Sequence, residues 1–220
     1  MMMTLYGYFR SSTSYRTRIA MNLKGLDYDY IAVNLAQDEQ LENAFMSLNP
    51  QGLVPVLQAD DLMLFQSPAI LEWLEEVYPD NPLLPKDAAG RMQVRALSAM
   101  IGCDIHPLNN RRILQYLRNE LSVDEDEVIK WCNRWISEGF AALEKRLAQD
   151  NSRDNRRGKF CYGDRPTFAD CYLIPQVSSA RRFQVDLNPY PNIVQIDAHC
   201  RTLKAFADAD PMLQPDAPKP

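Results

Sequence analysis

The chain changes its pattern once, at "YPDNPLLPKDAAG", residues 78–90. Three prolines among polar residues leave this stretch unable to continue a helix or a strand. Before it, short apolar runs alternate between strand and helix spacing; after it, the spacing is helical almost throughout. That division predicts two domains of different class. Residues 1–84 read as a small mixed α/β unit, and residues 85–220 as an all-helical one.

Within the first unit, Leu5–Phe9 reads as a strand rich in aromatic residues, and Tyr15–Lys24 as a helix stopped by Gly25. Tyr28–Leu35 reads as a second strand and Glu39–Met46 as a short helix. After "LNPQGLVP", the runs Val56–Gln58 and Leu62–Phe65 flank "ADD" as a hairpin. Ser67 then stands before Pro68 as the expected cap of the helix "PAILEWLEEV". The order is βαβ followed by ββα.

In the second unit Val94, Leu97, Ile101 and Ile105 form one apolar stripe, and Trp131, Trp135, Phe140 and Leu143 another. Thr167 with Asp170 three residues on resembles a capping box opening "FADCYLIPQV". The tail "PMLQPDAPKP" reads as a loose or strapped-down end.

A net charge of −5 speaks against wholesale nucleic-acid binding, which needs a basic field. No signal peptide and no bilayer-spanning apolar run is expected. Five scattered cysteines suggest reduced thiols in a cytoplasmic protein, and two histidines without a histidine–cysteine cluster predict no metal site.

"SSTS", Ser11–Ser14, joins the first strand to the first helix. A helix N-terminus offers unpaired N–H groups and partial positive charge, which makes it an anion site. No cysteine precedes Cys103, so the N-terminal half cannot form an internal disulfide. Its hydroxyls can still donate to a thiolate carried by a ligand. Lowering a thiol pKa by about two units takes roughly 2.7 kcal/mol, the scale of one or two charge-assisted hydrogen bonds plus a helix end. From the local residues alone, the serines could equally be plain helix caps.

Six blocks resemble the zeta class of glutathione transferases in order along nearly the whole chain: "FRSSTSYRTRIA", "LNPQGLVPVL", "QSPAILEWLEE", "GCDIHPLNN", "GDRPTFADCYLIPQV" and "RRFQVDLNPYP". The resemblance implies a thioredoxin-like domain, a helical domain, bound glutathione and a homodimer. It assigns Ser11 as the principal donor to the thiolate, with Ser12, Thr13 and Arg10 in support. It implies a cis Val54–Pro55 pair that presents backbone to glutathione, and Gln66–Ser67 as the receiver of the γ-glutamyl carboxylate. His106, Asn109 and Asn110, beside the helix-breaking Pro107, are assigned to the glutathione or substrate cleft. The alternatives are an ordinary turn proline at Val54–Pro55 and a polar surface at a helix bend over His106–Asn110.

The chain departs from the common zeta pattern in carrying Thr13 where a cysteine is usual and Tyr15 where tryptophan or histidine is usual. Thiol exchange at that position is therefore excluded, while hydroxyl donation is retained.

Arg10, Arg111, Arg112 and Arg182 form a candidate patch for the two carboxylates of a maleyl keto acid, because the guanidinium fork suits carboxylate; Arg181 is the bystander of its pair. The implied reaction is cis–trans isomerisation of maleylacetoacetate or maleylpyruvate by reversible thiolate addition, with glutathione regenerated. Arg111–Arg112 directly after Asn109–Asn110 tilts the resemblance toward maleylpyruvate. A transferase that conjugates small electrophilic acids, and a non-catalytic binding protein of the same fold, are the alternatives.

Overall fold

The computed structural model describes residues 2–154 and 158–219, without the side chains of 150–154. Two compact units emerge: Met1–Leu83 with Arg201–Pro220, and Leu84–Cys200. The first of these units runs to Leu83, inside the proline-rich stretch. The tail does not follow the prediction, because residues 201–220 pack with the first unit and not with the helices of the second.

The first unit is built on four strands, β1 (Met3–Gly7), β2 (Asp29–Ala32), β3 (Val56–Ala59) and β4 (Leu62–Phe65), in the order β2-β1-β3-β4. β1 runs parallel to β2 and antiparallel to β3, and β3 pairs antiparallel with β4. Helices α1 (Ser12–Leu23) and α3 (Ser67–Val77) pack together, and α9 (Lys204–Asp208) from the tail packs on α1.

β1 stops at Gly7, two residues short of the expected end, because Tyr8 and Phe9 turn off the sheet into a cluster with Val33, Phe45, Val54 and Val56. The helix expected over Glu39–Met46 is split into a 3₁₀ turn, Glu39–Leu41, and the one-turn α2 (Asn43–Met46). Glu42 between them is extended, and Glu39 reaches back to accept the Asn34 N–H at 2.6 Å.

The second unit holds α4 (Ala88–Ala99), α5 (Arg111–Asn119), α6 (Glu125–Asp154), α7 (Phe168–Arg182) and α8 (Pro191–Arg201). Val94, Leu97, Ile101 and Ile105 are buried as their spacing predicts. On α6 the buried stripe is Val128, Cys132, Ile136, Phe140, Leu143 and Leu147, in steps of three and four. Trp131 and Trp135 lie on its flank, edge to face at 5.7 Å. Indole rings carry a polar N–H, and Trp131 spends its own on the Leu108 carbonyl at 2.7 Å.

Thr167 and Asp170 form the predicted capping interaction at α7, with the fully buried carboxylate accepting from the Thr167 N–H and hydroxyl at 2.8 Å each and from the Cys161 N–H at 2.8 Å. Burial pushes the Asp170 carboxyl above its usual range, and these donors oppose the shift. The five cysteines carry no disulfide; Cys103 is exposed and the other four are buried. Among the described residues no helix is long and apolar enough to cross a membrane.

Candidate functional site

α1 begins where β1's turn delivers it, with Ser11 as its cap. Ser11 Oγ accepts from the Ser14 N–H at 3.3 Å and lies 2.9 Å from Thr13 Oγ1. Thr13 Oγ1 is 2.9 Å from the Val54 carbonyl. A carbonyl can only accept, so Thr13 donates its one hydrogen to Val54 and Ser11 donates to Thr13. The direction of the relay is thereby fixed. Ser11 can turn its hydrogen to an incoming thiolate, exchanging a neutral bond for a charge-assisted one about twice as strong. Ser12 opens the helix, and Arg10 is exposed, its guanidinium 5.8 Å from the centre of the Phe9 ring.

The Val54–Pro55 bond is cis, as the resemblance implies. The loop before it is held by Asn49, whose Nδ2 donates to the Leu53 carbonyl at 2.8 Å and whose Oδ1 accepts from the Gln51 N–H at 3.2 Å. The Val54 carbonyl already accepts from Thr13.

Ser67 differs from its expected role. It is the first residue inside α3, while Gln66 before it takes φ 67° and donates to Gln51 Oε1 at 2.5 Å. The Ser67 oxygen instead accepts from Arg16 Nη1 at 2.9 Å, and both residues are buried. With its oxygen engaged by a cation, Ser67 keeps its hydrogen for another acceptor. A positive side chain thus stands at the start of α3, where the helix end itself carries partial positive charge. The first unit therefore carries a hydroxyl relay at the start of α1 and a buried guanidinium at the start of α3.

Sequence reasoning missed Arg16. Its place in "SYRTRIA" five residues after Ser11 carried no sign of burial, since a polar flank was the ordinary reading. It also missed Arg18, which is fully buried and donates to the Phe9 and Ala209 carbonyls at 3.0 and 3.1 Å. Burial pulls the Arg18 guanidinium below its ordinary range, against the pull of Tyr30, Tyr28, Tyr15 and Asp216.

In the second unit, the helix begun as α4 widens into a π-helical turn over Met100–Ile105 and tightens into a 3₁₀ turn over His106–Asn109, where Pro107 ends regular bonding. Two glycines permit the bend. A Cβ on Gly102 would lie 2.7 Å from the Tyr172 ring, and one on Gly139 would lie 2.3 Å from Ile105.

Beyond the bend, Asn110 caps α5 by accepting the Arg112 N–H at 3.2 Å, with its Nδ2 3.4 Å from His106 Nε2. His106, Asn110, Arg111 and Arg112 are thus gathered at one helix start. Asn109 is different, being buried and bonded through Nδ2 to the Ile105 carbonyl at 3.2 Å. Arg182 ends α7 with its guanidinium 4.5 Å from the Phe183 ring centre, and Arg181 is paired with the buried Asp197 at 2.5 Å. α6 steadies both places: Trp131 holds Leu108, and Asn133 Nδ2 donates to the Phe183 carbonyl at 2.5 Å.

Residues 1–76 match the family model described as glutathione S-transferase, N-terminal domain, and residues 136–197 match the corresponding C-terminal domain. A maleylpyruvate isomerase of Ralstonia sp is 58% identical over 215 residues, covering 98% of this chain and 100% of the relative. A solved holo maleylpyruvate isomerase, described as a bacterial glutathione S-transferase of the zeta class, superposes with a TM-score of 0.94 at 57% identity, over 98% of this chain and 100% of that one. The chain belongs to the zeta class of the glutathione S-transferase family.

Other zeta-class relatives carry the second substrate name. A maleylacetoacetate isomerase of Pseudomonas aeruginosa is 45% identical, covering 98% of this chain and 99% of the relative. A maleylacetoacetate isomerase structure from Methylobacterium extorquens AM1, with malonate and GSH bound, has a TM-score of 0.92 at 35% identity, over 98% of this chain and 100% of that one. The fold expected from the six blocks is the fold observed: a four-stranded thioredoxin-like unit with helices and an all-helical unit.

Proposed function

We propose that this zeta-class chain is a glutathione-dependent cis–trans isomerase of a maleyl keto acid, with maleylpyruvate preferred over maleylacetoacetate. The observation that carries the reading is the directed relay Ser11–Thr13–Val54 at the start of α1, in a chain that matches named isomerases over nearly its whole length. The preference is supported by 58% identity to a maleylpyruvate isomerase against 45% to a maleylacetoacetate isomerase, and by the Arg111–Arg112 pair.

Bound glutathione supplies a thiolate that adds to the conjugated cis double bond, allows rotation about the resulting single bond, and departs to leave the trans isomer. Ser11 donates to the sulfur and holds it ionised, helped by the partial positive charge at the start of α1. Ser67, backed by Arg16, receives the γ-glutamyl carboxylate, and Val54 and Gln66 offer backbone and amide contacts. Arg10 in the first unit, and Arg111, Arg112 and Arg182 in the second, are the guanidinium groups assigned to the substrate carboxylates and to negative charge developing on the ketone oxygen. His106 and Asn110 stand at the helix start that carries Arg111 and Arg112, and Asn109 supports the bend before it. The soft sulfur must both attack and leave, so a moderate thiol pKa serves better than a very low one.

The assay offers each maleyl keto acid with catalytic glutathione and follows trans product. Many turnovers per glutathione are expected, faster with maleylpyruvate. Consumption of one glutathione per product would replace the isomerase by a conjugating transferase. We place the chain in the cytoplasm as a homodimer, a reading supported by five cysteines that form no disulfide and by exposed Leu62 and Phe65 on the edge strand β4. Sedimentation at the mass of one chain would overturn the dimer.

A further inference from the structure

The turn from β1 into α1 carries Arg10 and Ser11, and its backbone is held from an unexpected place. The Phe9 N–H donates to Asp216 Oδ2 at 2.8 Å, across 207 residues of sequence. The Phe9 carbonyl accepts from Arg18 Nη2 at 3.0 Å. Phe9 is therefore gripped on both sides by opposite charges, a carboxylate on its N–H and a guanidinium on its carbonyl. The turn is closed by the Ser11 N–H donating to the Tyr8 carbonyl at 3.0 Å.

The same two side chains hold the tail in place. Arg18 Nε donates to the Ala209 carbonyl at 3.1 Å, and the Tyr30 hydroxyl donates to Asp216 Oδ2 at 3.4 Å. Within the tail, Asp210 Oδ1 accepts the Met212 N–H at 2.9 Å, and the Gln214 amide nitrogen donates to the Asp208 and Asp210 carbonyls at 3.0 and 2.9 Å. Ala217 packs on the cluster that contains Tyr8 and Phe9. Residues 208–217 are a formed strap, not a frayed end.

As a device for stability alone the grip is a poor one. Arg18 Nη1 and Asp216 Oδ1 are buried without a hydrogen-bond partner, and an apolar pair of similar volume is often neutral or better than buried charges. What charged groups provide here is a fixed orientation of the two peptides on either side of Phe9, one and two residues ahead of the groups that meet the reactants.

We propose that Asp216 and Arg18 are positioning residues for the reaction, so that the C-terminal strap completes the turn that aims Arg10 and Ser11. The proposal rests on the reading above that Arg10 and Ser11 act on substrate and sulfur. Asp216 touches neither. Its removal leaves every contacting group in the chain but releases the Phe9 N–H, and loss of aim lowers the rate of the bound complex more than it weakens binding.

The test compares full-length wild type, Asp216→Ala and Asp216→Asn in the trans-product assay with glutathione varied. Hydrogen exchange of the segment 8–12 is measured on the same proteins, at a temperature where circular dichroism shows each to be folded. Asp216→Ala should lose roughly tenfold in kcat with a smaller change in the glutathione KM, and the segment should exchange faster. Asp216→Asn keeps an oxygen for the Phe9 N–H and should recover most of the kcat. If Asp216→Ala does not fold, Tyr30→Phe removes the second donor to that carboxylate and should show the same pattern at roughly threefold. Wild-type kcat in Asp216→Ala, even with a lowered melting temperature, would make the strap merely structural and overturn the proposal alone. A wild type that isomerises neither keto acid overturns the functional reading and this one with it.

Discussion

Ser11 gives its hydrogen to Thr13 and accepts one from the Ser14 amide, so its oxygen is polarised before any ligand arrives. Turning that hydrogen to a thiolate gains about 1 kcal/mol net, the difference between a charge-assisted and a neutral bond. The helix end adds roughly 0.3–1 kcal/mol and up to about 2 kcal/mol when partly buried. Together these lower a thiol pKa by about one to two units. The two hydroxyls therefore have unequal roles. Ser11→Ala should cost roughly a hundredfold in kcat, as removal of an anion-stabilising donor does. Thr13→Val removes only the resting partner of Ser11 and should cost less than about fivefold, the worth of one neutral hydrogen bond. Steady-state kinetics of the two variants decides it; an equal loss in both would make Thr13 the donor.

At the scale of elements, α1 is tied to α3 at both ends. Arg16 holds Ser67 at the start of α3, and Lys24 just beyond α1 holds Glu75 near its end at 2.9 Å. The Lys24 ammonium also donates to the Tyr78 and Asn81 carbonyls at 2.8 and 3.1 Å, and Glu75 accepts the Leu83 N–H at 2.9 Å. Every Lys24 donor is used, and the proline-rich stretch is pinned to the first unit through it. Lys24→Met should destabilise the protein by about 3–5 kcal/mol by stranding a buried carboxylate. Urea unfolding measures it, and the double variant with Glu75→Gln should recover part of the loss.

Which elements were legible in the sequence follows from how local their causes are. The βαβ–ββα order, the capping acid Asp170 and the stripe Val94–Ile105 all rest on spacing within a few residues, and all are found. Residues whose role depends on distant partners were not legible. Ser67 reads as a cap until Arg16 is seen to take its oxygen, and Asp216 reads as one more polar tail residue until Phe9 is found against it. The tryptophans of α6 were over-read as core because hydrophobicity alone ignores an indole N–H that needs a carbonyl.

For the whole molecule, the tail reverses the simple division at residue 84: the chain leaves the first unit, forms the second, and returns to finish the first. The thiols report on how tightly this assembly is closed. Cys132 is pushed up to about 11 by burial, partly opposed by Arg182 and Arg118, and Cys161 is raised well above its ordinary value by burial. At about pH 8 only some one part in a thousand of Cys132 is thiolate. Labelling the folded protein with an alkylating reagent should therefore modify Cys103 alone, and all five cysteines after denaturation. Labelling of Cys132 and Cys161 should grow with rising pH, as thiolate forms. Rapid modification of a second cysteine at neutral pH would show that the helical unit opens.

The proposed reaction depends on an ionised sulfur held beside Ser11. Titrating the ultraviolet absorbance of glutathione bound to the wild-type protein, against glutathione free in the same buffer, measures that directly. The bound thiol should ionise about one to two pH units below the free one, and the Ser11→Ala complex should give back most of that difference. Identical titration curves for bound and free glutathione would contradict it.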